Sequence, residues 1–245
     1  MKALAARVTM QLRELLRLPA YWVPSLLFPA MLFSFFGVGP ARDHPHIAPV
    51  ILASWSVFAV QGIAFYQFGV GIAQDRVNPW QTSLRVLPAG PLPGFAAQAV
   101  TALLFAAAAV AGVWLAGGLL LPEAAAVRPN ALLLALLLLG GVPFVFLGIA
   151  IGYLVEPRAA VPVANLVHLP LAFAGGLWLP PSRLPDLVQA VSPYLPTRMY
   201  AELVWAAARD EVPALQDAGG LVLTALGAAL LAGWAWRHDE QRRHG

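Results

Sequence analysis

The side chains that could support catalysis or metal binding are few and scattered in this sequence. The five histidines are His44, His46, His168, His238 and His244, and none has the spacing of a zinc site such as HExxH. The absence of cysteine excludes a disulfide framework, a thiolate metal site and a cysteine nucleophile. There is no Gly-x-Ser-x-Gly motif of a serine hydrolase and no acidic cluster suited to magnesium chemistry. The sequence therefore predicts no catalytic site, bound metal or cofactor in this chain.

The distribution of lysine limits how the chain could use energy. The only lysine is Lys2, and no glycine-rich loop precedes it. A P-loop requires a lysine that reaches the nucleotide phosphates, so ATP hydrolysis through a Walker motif in this chain is excluded. No basic tract suits nucleic-acid binding, and the formal net charge is only +3.

Polar side chains within the apolar stretches are the remaining candidates for a site. They are Gln61, Gln67, Asn165 and His168, the last two on one helix face because they are three residues apart. Polar groups in membrane spans tend to face the bundle interior or a cavity. These four could line a substrate path, or they could form hydrogen bonds between helices. Because the spans contain no ion pair, coupling to protons or sodium through an intramembrane carboxylate is not expected.

The composition indicates an integral membrane protein. Of the 245 residues, 60% are hydrophobic and 11% are charged, whereas roughly a quarter of a soluble domain is charged. A helix needs about 20 apolar residues to cross the hydrocarbon core, and six segments meet that requirement. We therefore predict an all-α, polytopic protein with six transmembrane helices in a single domain over residues 1–245. The predicted spans are residues 21–38, 48–73, 95–121, 131–155, 159–179 and 215–236.

The basic residues predict the orientation, because cytoplasmic loops carry an excess of Lys and Arg. With both termini cytoplasmic, ten basic residues lie inside and five outside. The ten are Lys2, Arg7, Arg13, Arg17, Arg76, Arg85, Arg158, Arg237, Arg242 and Arg243, and the five are Arg42, Arg128, Arg183, Arg198 and Arg209. Both termini are predicted to be cytoplasmic.

Three segments between or before the spans carry organised patterns. Residues 1–18 have the amphipathic pattern of a helix lying on the cytoplasmic membrane face, as a moving element or as a plain anchor. In residues 74–93, also cytoplasmic, Asn78 can cap a short helix that docks on another protein or lies on the membrane. Residues 180–213 face outside and predict two short helices, with Thr197 capping the second. These two helices could dip into the outer leaflet, cover a central path or form an ordered surface loop.

Taken together, these features resemble type-2 ABC-transporter permeases, the membrane subunits of exporters whose ATPase is a separate chain. The most specific stretch is residues 175–185 with 191–196, which is similar to the family pattern of glycine, aromatic residue, proline, Leu-Pro pair, serine and second proline. Its marker residues are Gly176, Pro180, Leu184, Pro185, Pro193 and Pro196.

A second stretch, residues 72–76 with 84–88, resembles the acid–arginine segment and following helix by which such permeases couple to their ATPase. The sequence departs from the family there, because Val77, Asn78 and Pro79 stand where an acid, a variable residue and a glycine are common. The coupling residues that the resemblance implies are Asp75, Arg76, Trp80, Gln81, Leu84 and Arg85.

The resemblance also implies the partners. They are an ABC-type nucleotide-binding ATPase subunit, which binds ATP and Mg, and a second permease chain, either a copy or a relative. Contacts to that second chain are expected from spans one and five and the external hairpin. Two six-helix halves in the lipid of a bacterial or archaeal cytoplasmic membrane would move an amphipathic or lipid-like substrate outward. A membrane-embedded enzyme acting on lipids and a non-transporting structural subunit remain as alternatives.

Overall fold

The computed structural model describes residues 2–17, 19–78, 92–121 and 130–244, and the regular structure in these ranges is helical throughout. The helices are α1 (Lys2–Leu16), α2 (Pro19–Leu32), α3 (Val38–Asp43), α4 (Ala48–Ala64), α5 (Gly71–Asp75), α6 (Leu92–Leu120), α7 (Ala131–Leu139), α8 (Val142–Leu154), α9 (Pro157–Ala174), α10 (Asp186–Val191), α11 (Pro196–Ala208) and α12 (Leu215–His244). Two π-helical segments, Phe33–Gly37 and Phe65–Val70, join α2 to α3 and α4 to α5 without a break. The predicted all-α class is confirmed.

Five helices in the described ranges are long and apolar enough to cross a membrane. They are Ser25–Asp43, Pro45–Asp75, Ala96–Leu120, Ala131–Leu154 and Leu215–Gln241. Five of the six predicted spans therefore have a matching helix of sufficient length and hydropathy.

The predicted fifth span, residues 159–179, corresponds to α9, which is not among these five. This helix has eighteen residues and contains Pro162 and Pro170. Arg158 in its first turn and two polar side chains further along lower its hydropathy. The six-span count thus stays a prediction.

The helix α4 forms the centre of the bundle. Every residue from Leu52 to its end at Ala64 is buried, and α2, α6, α8 and α11 all pack around it. A helix that is apolar on every side is expected to be enclosed in this way. Helices α2, α6, α8 and α11 are therefore positioned by their contacts with α4.

Two glycines bring α8 close to the π-helical segment that follows α4. A Cβ added to Gly148 would lie 2.7 Å from the Ala64 carbonyl oxygen, and one added to Gly152 would lie 2.8 Å from that of Phe68. Only glycine permits this backbone approach. The Gly-x-x-x-Gly pair of the fourth span therefore makes a contact within the chain.

The two helices predicted between the fifth and sixth spans, α10 and α11, differ greatly in burial. Helix α10 is largely exposed, whereas α11 packs against α4, α7 and α12 with Tyr200 and Val204 fully buried. The Tyr200 hydroxyl donates to the Leu137 carbonyl, and the Trp205 indole N–H donates to Ser54 at 2.8 Å. Helix α11 is thus a part of the core.

The predicted cap of α11 is wrong. The helix begins at Pro196, and Leu195 precedes it without a capping side chain. Proline at the first position has no N–H to be capped and already has a helical φ. Thr197 is instead buried within the bundle and accepts a hydrogen bond from Gln61 at 3.1 Å.

The close approach of α8 to the centre can be tested with Gly148→Val. The added side chain has no space against the Ala64 carbonyl, and overpacking of this kind costs about 1–3 kcal/mol. We expect a lower midpoint for heat-induced loss of the monodisperse peak in size-exclusion chromatography. Gly227→Val is the matched control, because nothing lies within 4 Å of a Cβ there. Equal midpoints for the two variants would contradict this packing.

Candidate functional site

A cleft of about 550 Å³ lies against the central helix, between α2 and α9. Its apolar wall includes Phe28, Phe58, Ile63, Val70 and Leu169. Residues of α1 and α6 also contribute to the lining near the end of the bundle that carries α1, which we call the α1 end. The cleft is therefore enclosed by the helices of the predicted first, second and fifth spans and by α1.

Hydrogen-bonding side chains also line the cleft. The Tyr66 hydroxyl donates to Asn165 Oδ1, which joins the π-helical segment to α9. Gln98 of α6 donates its Nε2–H to the Gln67 carbonyl at 2.9 Å. All four of these residues line the cleft. The two interpretations left open by the sequence are thus compatible, since the same residues form interhelical bonds and line a cavity.

The side chain of His168 also lines the cleft and is only 2% exposed. Its ring stacks on Phe58 with centroids 4.6 Å apart and lies 5.7 Å from the Phe65 ring. A Cβ at Gly62 would be 3.2 Å from His168 Cε1, so glycine at that position gives the imidazole its space. Its Nε2 has no hydrogen-bond partner among the described residues.

The fourth predicted polar residue, Gln61, lies outside the cleft. It is fully buried, and its Nε2 donates to Thr197 of α11. Gln61 therefore links α4 to α11, and only Gln67, Asn165 and His168 of the predicted set reach the cleft.

A second polar cluster lies at the α1 end, where Arg76 follows α5. Its Nη1–H groups donate to the carbonyls of Gly152 at 2.9 Å and Val155 at 3.2 Å, which lack helical partners at the end of α8. Its Nη2 forms an ion pair with Asp239 of α12. The two side chains are 19% and 7% exposed. Arg76, predicted as a coupling residue, therefore ties the second, fourth and last spans together.

The other predicted coupling residues are placed as follows. Asp75 lines the cleft at the α1 end. Trp80, Gln81, Leu84 and Arg85 lie outside the described residues. The sequence analysis did not single out Asp239, which follows the predicted last span. The sequence feature that could have identified it is an acidic residue at the end of one span, because such a residue can form an ion pair with an arginine at the end of another span.

The predicted marker residues of the region after α9 shape the chain where it reverses. Gly176 has φ +81°, which favours glycine. Leu184 is buried, and the four prolines each stand at or beside the start of a short helix or 3₁₀ turn. These are Pro180 before Pro181–Arg183, Pro185 before α10, Pro193 within Ser192–Tyr194 and Pro196 at the start of α11. They determine where the helices begin and carry no reactive chemistry.

The cleft, the tied helix ends and the reversal after α9 belong to one continuous membrane bundle, and this bundle has known relatives. Residues 2–207 match the family model described as ABC-2 type transporter. The chain belongs to this family. It is also 24% identical over 218 residues to a protein of Bacillus subtilis (strain 168) named "Putative transport permease YvfS", a match that covers 87% of this chain and 88% of that protein.

Membership of the ABC-2 family confirms the resemblance seen in the sequence. It makes the chain the multi-pass membrane subunit of a transporter, and it implies an ABC transporter system with a partner ATPase. Within the described part of this permease, no group of three His, Asp or Glu side chains could hold a metal.

The Arg76–Asp239 tie can be tested by its effect on the stability of the permease. Arg76→Ala removes the cation of a largely buried ion pair, and breaking such a pair costs about 3–5 kcal/mol. Arg209→Ala is the control, because its pair with Glu211 is exposed and is worth at most about 1 kcal/mol. Denaturation of both variants in detergent micelles measures the difference. Equal losses of stability would show that the ion pair contributes no more than a surface contact.

Proposed function

We propose that the chain is the membrane subunit of an ATP-driven exporter, which moves an amphipathic or lipid-like substrate out of the cytoplasm. The observation that carries the proposal is the cleft in a member of the ABC-2 family. Its volume of about 550 Å³ lies within the range of roughly 300–1,000 Å³ for small-molecule sites. Its lining combines aromatic and aliphatic side chains with polar ones, which matches a molecule with an apolar body and a polar head.

The proposed topology has six crossings, with α9 as the fifth. Helices α8 and α12 both end beside Arg76, which supports a start of α12 at the opposite end of the bundle. The chain between α8 and α12 would then cross the membrane once more. The eighteen residues of α9 extend about 27 Å at 1.5 Å per residue, close to the hydrocarbon thickness of about 30 Å.

The proposed orientation places both termini and the α1 end in the cytoplasm of a bacterium or archaeon. The ratio of ten to five basic residues supports this choice. The α1 helix then lies on the cytoplasmic face with its arginines toward anionic headgroups, and the region from Pro180 to Pro213 faces outside.

Energy would come from a separate ATPase subunit that binds ATP and Mg. Because Lys2 is the only lysine and belongs to no P-loop motif, this chain lacks the means to hold nucleotide phosphates through such a loop. The ATPase would dock on the predicted coupling segment, residues 74–93. Arg76, which lies in that segment, would pass its movement to α8 and α12 through the carbonyl and Asp239 contacts.

Two copies of the permease, or this chain and a relative, would form the complete membrane part. The exposed apolar faces of α2 and α9 support this arrangement. Phe35, in the π-helical segment that continues α2, and Leu166 on α9 are among the most exposed apolar side chains there. The second chain would then close the open side of the cleft.

The proposed function is tested by reconstitution of the permease with its ATPase in liposomes. We expect outward movement of a fluorescent amphiphile that needs ATP and stops when the Walker lysine of the ATPase is replaced. Turnover by the permease alone would favour the membrane-enzyme alternative. A complex of permease and ATPase that transports no substrate would favour the alternative of a non-transporting structural subunit.

The docking segment is tested by replacing Trp80 and Leu84 with Asp. An apolar helix face that fills a groove on the ATPase cannot accept two carboxylates without a large loss of affinity. We expect the ATPase to be lost on co-purification. Leu187→Asp is the matched control, because this exposed side chain lies on α10, which the proposal places on the outer side. Retention of the ATPase by the double variant would exclude this docking site.

A further inference from the structure

Carboxamides are the most frequent hydrogen-bonding side chains in the described lining of the cleft. The five that line it are Gln11, Gln67, Gln74, Gln98 and Asn165. A carboxamide carries no charge, and it offers both N–H donors and an acceptor oxygen. If the cleft is the substrate site of the proposed exporter, these side chains indicate the chemical class of the polar head that it accepts.

Two of these carboxamides are only partly used by hydrogen bonds among the described residues. Asn165 accepts from the Tyr66 hydroxyl through its Oδ1. Gln98 donates to the Gln67 carbonyl through its Nε2 at 2.9 Å. The other half of each carboxamide, Nδ2 of Asn165 and Oε1 of Gln98, can therefore bind a ligand in the cleft.

His168 supplies an independent indication, because it has a buried polar atom without a partner. Its side chain is nearly inaccessible to solvent and lines the cleft, and its Nε2 has no hydrogen-bond partner in the described part of the chain. Buried polar atoms are rarely left in this state. Nε2 accepts in one tautomer of the neutral ring and donates in the other. A hydroxyl group both donates and accepts, so it suits either tautomer as well as either half of a carboxamide.

The position of His168 favours a head without charge. Helix α9 begins at the α1 end, and the eleven residues from Pro157 to His168 extend about 16 Å along it. Glu14 and Asp75, the two residues of the described lining that are Asp, Glu, Lys or Arg, lie at the α1 end. A charged head beside His168 would thus lose its water without gaining a countercharge from these side chains, which is costly.

We propose that the cleft binds uncharged amphiphiles whose head carries hydroxyl groups, and that this head lies beside Asn165 and His168. One hydroxyl pairs with His168 Nε2, and another pairs with the remaining half of the Asn165 carboxamide. Both side chains lie on one face of α9, because they are three residues apart. The hydrocarbon body packs on the apolar lining, which includes Phe28, Ile63 and Leu169.

Four ligands with the same dodecyl tail test this assignment. Dodecylglycerol ether has two hydroxyls, and its dimethyl ether has the same oxygens without hydroxyl protons. Dodecyltrimethylammonium has charge and no hydrogen-bonding group, and dodecyl phosphate has charge with hydrogen-bonding oxygens. Each competes, at equal mole fraction in phosphatidylcholine nanodiscs, with a photoreactive dodecylglycerol probe for the permease, and mass spectrometry locates the labelled residues. We expect labelling of cleft residues, with the other three ligands about tenfold weaker than dodecylglycerol or more.

Two variants assign the preference to residues. His168→Phe keeps a ring that can stack on Phe58 and removes the ring nitrogens, and Asn165→Leu removes the carboxamide. In each variant the preference for dodecylglycerol over dodecyltrimethylammonium should fall about fivefold, whereas damage to the fold alone would weaken both ligands equally. Gln216→Leu is the matched control, because this exposed carboxamide on α12 does not line the cleft.

Equal competition by any of the three other ligands, labelling outside the cleft, or an unchanged preference in either folded variant would overturn the inference. These binding measurements need no ATPase. Equal competition by a charged ligand that is also exported with ATP would therefore overturn this inference and leave the proposed function standing. Binding as described without any ATP-driven transport would do the reverse.

Discussion

The structure depends on one constraint: a helix enclosed on all sides by protein must find partners for its polar side chains on its neighbours. Three such side chains on α4 have a partner on a neighbouring helix. Ser54 accepts from the Trp205 indole of α11 at 2.8 Å, Ser56 accepts from the Trp114 indole of α6 at 2.9 Å, and Gln61 donates to Thr197 of α11, while Gln61 Oε1 has no partner among the described residues. These bonds fix α6 and α11 against α4 in one register, which apolar contacts alone specify less strictly.

The same constraint applies to the two polar clusters, at the α1 end and in the cleft. At the α1 end, the carbonyls that end α8 and the carboxylate of Asp239 are paired with the Arg76 guanidinium, whose Nε has no partner among the described residues. In the cleft, Nε2 of His168 also has no partner in the described structure. The first cluster joins three helix ends through its bonds, whereas an unpartnered polar atom next to a cavity is where a ligand can gain binding energy. The tie and the cleft share α4 with its π-helical extension, so movement at one end can alter the other.

The sequence predicted the features that follow from local composition. Long apolar runs identified five helices of sufficient length, and the proline and glycine pattern indicated that short helices follow α9, although the predicted fifth span extended past Gly176 to residue 179. It could not predict features that depend on which helix faces which. Thr197 had the sequence context of a helix cap, but it accepts a hydrogen bond from Gln61 because α11 inserts into the core. The sequence around Asp239 does not indicate that α12 brings this residue to Arg76.

The most direct test of the account is the accessibility of the cleft during the ATP cycle. The chain contains no cysteine, so Val161→Cys, an exposed position in the lining of the cleft, can be labelled selectively with a membrane-impermeant maleimide. In proteoliposomes with the partner ATPase, we predict rapid labelling from the α1 side without ATP and about tenfold slower labelling in a trapped ATP state. Leu223→Cys on the outer face of α12 should show no such dependence. A labelling rate at Val161 that is the same in both states would contradict the claim that this cleft opens and closes with the ATPase.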